Sequence, residues 1–83
     1  MAEDFRDEPR KPALKAGQIS FGAPQDSLDC LVWDLSKSGA MIEVDLHSSP
    51  PDTFRLLSAG LSLNQRCEVI WRSDRKIGVK FVD

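Results

Sequence analysis

Residues 76–82 read Lys-Ile-Gly-Val-Lys-Phe-Val. A period of two puts Ile77, Val79 and Phe81 on one side of an extended chain, and Lys76, Gly78 and Lys80 on the other. Similar alternation recurs along the sequence. Nowhere does it give way to a 3.6-residue apolar stripe longer than a turn or two. The 83 residues amount to one small domain with room for one core. Short amphipathic strands in so small a chain must close on themselves or stack as two sheets.

Six strands are predicted, at Leu14–Phe21, Leu28–Asp34, Ala40–Val44, Thr53–Leu57, Leu61–Arg72 and Lys76–Val82. Turns are expected at 22–26, 35–39, 58–60 and 73–75, each rich in glycine, serine or aspartate. The loop 45–52 carries Pro50-Pro51, which a central strand excludes. In the second strand Leu28, Cys30 and Val32 share one face, and Leu31 and Trp33 do not. In the fifth, Leu63, Cys67, Val69 and Trp71 are expected to face the core, with Asn64, Arg66, Glu68 and Arg72 opposite. The class is all-β: a small antiparallel barrel or sandwich with little or no helix. Residues 1–13 hold Pro9, Pro12 and many charges, and are read as a flexible N-terminal segment ahead of a barrel at 14–83.

Charge and residue types exclude several functions. Eleven basic and thirteen acidic side chains give a net charge of −2, which argues against a general DNA or RNA binder. No apolar run approaches the ~20 residues that span a membrane. The opening Met-Ala-Glu-Asp lacks the pattern of a signal peptide, so a cytoplasmic protein is expected. Cys30 and Cys67 form no CxxC pair, so they are read as buried thiols and no metal site is expected. His47 is the single histidine and lies in a polar loop, and no nucleophile motif accompanies it. No enzymatic activity is predicted.

Two motifs carry chemistry. Arg6-Asp7-Glu8-Pro9-Arg10 is an RxxxR pattern just before the first strand. Asp34-Leu35-Ser36-Lys37-Ser38-Gly39 is a DxSxxG pattern between the second and third. Guanidinium forks match phosphate oxygens and the O6/N7 edge of guanine. A carboxylate accepts from the N–H edge of the same base. The pair suits a ligand that is both an anion and a guanine.

These motifs, in this order on this strand pattern, resemble the PilZ domain family. The stretches Cys30–Ser36, Cys67–Arg72 and Ile77–Phe81, and Pro51 with Phe54 and Leu56, are similar to that family's strands. The resemblance covers nearly the whole chain. It implies a split, six-stranded antiparallel barrel that binds the bacterial second messenger cyclic di-GMP, with no further cofactor. Arg6 and Arg10 would then grip phosphates and guanine edges. Asp34 would accept from guanine or orient an arginine, and Ser36 would offer a hydroxyl. Gly39 would take a positive φ, leave room for the ligand, or serve the fold alone. Lys11, Lys37, Trp33 and Arg72 are secondary candidates, whereas Trp71 is assigned to the core. Asp7 and Glu8 lie between the arginines and compete with the ligand, but exposed pairs contribute only ~0–1 kcal/mol each. The expected mechanism is a switch in which ligand orders the leader and changes contacts with a downstream protein. The expected assembly is a monomer or weak homodimer. The rival function is an adaptor of the same fold that no longer binds the nucleotide.

Overall fold

The computed structural model describes residues 11–22 and 26–82. Six antiparallel strands close into a barrel in the order β1-β2-β3-β6-β5-β4. They are β1 (Lys11–Ser20), β2 (Ser27–Leu35), β3 (Gly39–Val44), β4 (Thr53–Ser58), β5 (Leu63–Ser73) and β6 (Lys76–Val82). The one helical piece among the described residues is a 3-10 turn, Ala59–Leu61. Ser62 follows it in the left-handed region at φ 52°, so the fifth strand begins at Leu63 and not at Leu61. Asp74, at φ 55°, makes the tight β5–β6 hairpin, a conformation that aspartate tolerates better than most residues.

The first strand starts three residues earlier than its alternation suggests. Lys11 pairs with Leu35 and Pro12 with Asp34. The ladder between β1 and β4 covers only Gln18–Ser20 against Leu57–Arg55. The first half of β1 therefore pairs with β2 alone, and the barrel is split there. A strand with one ladder can carry a proline, which has no N–H to give.

The period-2 apolar set fills the interior. Ile19, Val32, Ile42, Leu56, Cys67 and Val79 are fully buried, one or more from every strand. Burying an aliphatic side chain of this size contributes about 1.5–3 kcal/mol before entropy is charged against it. Gly17 lets strands approach closely, because a β-carbon there would stand 3.0 Å from the Leu57 carbonyl and 3.3 Å from Cys30 Sγ. Buried Ser58 donates from Oγ to the Ala16 carbonyl at 2.8 Å, joining β4 to β1 beside the short ladder. Both thiols are buried as expected, and desolvation raises their pKa from 9.0 to about 11 at Cys30 and about 12 at Cys67.

Two irregularities in the ladders alter which residues face out. Across β2 and β3, Val32 pairs with Ile42 and Asp34 with Met41, so Trp33 is an extra residue. Across β5 and β6, Val69 pairs with Val79 and Trp71 with Gly78, so Ile70 is an extra residue. Each is a β-bulge, and each inverts the alternation for the residues beyond it. Trp71 does not enter the core as its spacing predicts. It lies on the outer face and is 38% exposed. Arg72, expected on the outside with Glu68, instead shares a side with Ile77.

Candidate ligand-binding site

The DxSxxG segment closes the β2–β3 connection as a tight turn. The Ser36 N–H donates to the Gly39 carbonyl at 2.9 Å, and Ser36 Oγ donates to the same oxygen at 3.2 Å. A hydroxyl that donates inward keeps its lone pairs available to accept. The turn is fixed to β6 by the Phe81 N–H, which donates to the Ser38 carbonyl at 2.7 Å. Gly39 is buried at the start of β3, opposite Lys80. It does not take a positive φ: among the described residues Gly22 alone of the glycines does, at 115°. The turn reverses through residues 36–38, and Gly39 is already in the extended ladder.

Asp34 stands at the centre of the outer face beside this turn. Its neighbours in register, Val32 with Ile42 and Leu35 with Ala40, belong to the core side. Directly opposed residues share a face, so Asp34 and Met41 project outward together. Met41 pairs in turn with Gly78, and Gly78 with Trp71. A single row, Pro12–Asp34–Met41–Gly78–Trp71, thus crosses five strands. Asp34 and Met41 are half-buried in it. From Asp34 to Trp71 the row is three strand spacings long, about 14 Å.

The indole at the end of this row packs on the backbone of Gly78. A β-carbon added at Gly78 would overlap Trp71 Nε1 and Cε2 and come 2.8 Å from Cδ1. Gly78 is the floor on which the indole rests. Trp71 also lines the wall of a shallow depression with Glu43, Ser73 and Lys76. Neither motif includes Trp71, Gly78 or Met41. Two sequence signals could have found them. Ile70-Trp71 puts two large apolar residues side by side and breaks the alternation. Gly78 sits between outward lysines at 76 and 80.

The remaining candidates divide. Lys37 is exposed on the motif turn. Lys80 lies opposite Gly39 in the β3–β6 ladder, with Nζ 3.6 Å from Glu68 Oε1 on β5; the sequence did not single it out. Trp33 is committed elsewhere: its indole N–H donates to Glu43 Oε1 at 2.7 Å, and Lys76 Nζ stands 4.8 Å from the ring centroid. Arg72 is drawn away, pairing with Asp52 at 2.9 Å from a position opposite Ile77, three residues along β6 from Lys80. Arg6 and Arg10 lie outside the described residues, as does the side chain of Lys11.

Among the described residues no group of histidine, cysteine, aspartate and glutamate side chains could hold a metal ion. No helix among them is long and apolar enough to cross a membrane. A search of curated proteins finds no match to this chain. The family model for the PilZ domain matches residues 4–83, which takes in both motifs and every strand. The chain belongs to the PilZ domain family, whose members are non-catalytic receptor domains that generally bind cyclic di-GMP.

Proposed function

We propose that this chain binds cyclic di-GMP on the outer face beside the 36–39 turn and signals by ordering its leader. Arg6 and Arg10 grip the phosphates and guanine edges. Asp34 accepts from a guanine N–H edge or orients an arginine, Ser36 accepts at the turn, and Lys37 and Lys80 add positive charge. A guanine stacks on the Trp71 indole, which is partly exposed and packed against Gly78. With ligand, the leader folds across the outer face and presents a new surface to a protein partner.

The observation that carries this reading is the pairing of Lys11 with Leu35. It delivers the chain that immediately follows Arg10 to the first residues of the DxSxxG segment. Consecutive α-carbons are about 3.8 Å apart, so the leader that carries RxxxR joins the barrel at Lys11, beside this segment. Calorimetric titration with cyclic di-GMP tests it. Arg10→Ala should weaken binding by about 2–5 kcal/mol if its contact is desolvated. Equal affinity of variant and parent would remove the arginine from the site. A parent that binds no nucleotide would favour the adaptor function instead.

A further inference from the structure

The ladders put Asp34 opposite Met41 and Pro12, but the core pairs on either side of the bulge do not by themselves dictate that choice. Val32–Ile42 and Leu35–Ala40 fix both flanks, and two residues of β2 span the space that Met41 alone occupies on β3. The extra residue can be Trp33, leaving Asp34 opposite Met41. It can equally be Asp34, with Trp33 opposite Met41. Both arrangements keep the same core residues inside, so hydrophobic burial does not choose between them. They differ in where the Asp34 carboxylate points.

We propose that Glu43 makes this choice: by anchoring the Trp33 indole it holds the bulge at residue 33 and keeps Asp34 in register on the ligand face. Glu43 is on the same outer face as Met41, two residues further along β3, opposite Leu31 and Lys76. Its Oε1 accepts the Trp33 indole N–H at 2.7 Å, and its Oε2 is 3.0 Å from Arg75 Nη2. Lys76 covers the ring from β6. The β-hairpin tip is fixed to the same place, since the Val44 N–H donates to the Arg75 carbonyl at 2.8 Å. Trp33 is thereby pulled along β3 away from Met41, and the place opposite Met41 falls to Asp34. Glu43 acts here through the Trp33 indole. It is a positioning residue, and the hairpin at Asp74–Arg75 is its support.

The importance of Asp34 for binding rests on the proposed function; the choice of bulge position does not. Two readouts separate them. Cross-strand proton contacts by NMR, in the ligand-free chain, report whether residue 34 or residue 33 lies opposite Met41. Titration with cyclic di-GMP reports the consequence. Glu43→Ala should weaken the Asp34–Met41 contacts, introduce Trp33–Met41 contacts and lower affinity about tenfold. Trp33→Phe, which deletes the N–H and keeps a ring, should do the same. The double variant should be no worse than either single one, because both remove one link. Glu43→Gln keeps an acceptor and should restore the parental register. Unchanged Asp34–Met41 contacts in Glu43→Ala and Trp33→Phe would overturn the proposal whatever the nucleotide does. An unchanged register with lost affinity would also overturn it, by showing that Glu43 acts by charge alone. A parent that fails to bind, with the register shifting as stated, would sustain the proposal and sink the nucleotide function.

Discussion

The two bulged strands reach the same outcome by different means. In β2 the extra residue is Trp33, and the residue turned outward is a carboxylate. In β5 the extra residue is Ile70, and the residue turned outward is an indole. The first is held by directional chemistry, a hydrogen bond to Glu43 backed by Arg75 and Lys76. The second is held by shape, an aromatic plane lying where Gly78 has no side chain. A bulge locked by a hydrogen bond fails when an acceptor is deleted. One whose outward residue is seated on a glycine is disturbed when a single methyl is added. The two outward residues end up in one row with Met41 and Gly78 between them, so damage to either end should be read out at the same ligand.

Substitutions at the β5 end test that contrast most sharply. Trp71→Ala should cost about 1–3 kcal/mol of cyclic di-GMP affinity, the range for one base stacked on an aromatic ring. The thermal unfolding midpoint should also fall, since nearly two-thirds of the indole is covered, so affinity is measured well below the lowered midpoint. Parental affinity in this variant would end the role of the indole as a platform. Gly78→Ala should have the same sign and a smaller size. The new β-carbon lifts the indole off the sheet but leaves it in place to find another pose. Near-ultraviolet circular dichroism of the ligand-free protein should show the displaced ring, and calorimetry the weaker binding. If Gly78→Ala instead unfolds the barrel, Gly78 serves the core and not the outer face.

Arg72→Ala provides the smallest expected effect and a control on register. The bulge at Ile70 sends Arg72 to Asp52 and away from the motif turn. Exposed pairs of this kind contribute ~0–1 kcal/mol, so chemical denaturation should move slightly and nucleotide titration not at all. A clear loss of affinity would mean that Arg72 turns back toward the ligand and that the parity inversion does not govern this part of β5.

Much of the architecture was legible because it depends on a simple period. Ile77, Val79 and Cys67 announce their inward faces, and Pro50-Pro51 and the Asp74 turn mark where strands stop. The DxSxxG segment was legible as a turn, and the structure supplies its hydrogen bonds. The errors share one cause. The faces of Trp71 and Arg72 were both assigned by counting alternate residues through a bulge. A bulge leaves only a faint mark in the sequence, because it depends on which residues the neighbouring strand presents. The early start of β1 escaped for a related reason: Lys11 and Pro12 have no apolar alternation, and only their pairing with Leu35 and Asp34 makes them strand.

The order of polar and apolar residues by itself dictated a closed all-β domain, its core, and the two motifs that suit a guanine-bearing anion. Those properties follow from local chemistry and a two-residue repeat, and neither needs coordinates. Which side chains share the outer face was decided only by tertiary pairing. A one-residue slip between neighbouring strands reverses every side chain beyond it, and the partners of the two tryptophans, Glu43 for Trp33 and Gly78 for Trp71, lie on strands other than those that bulge.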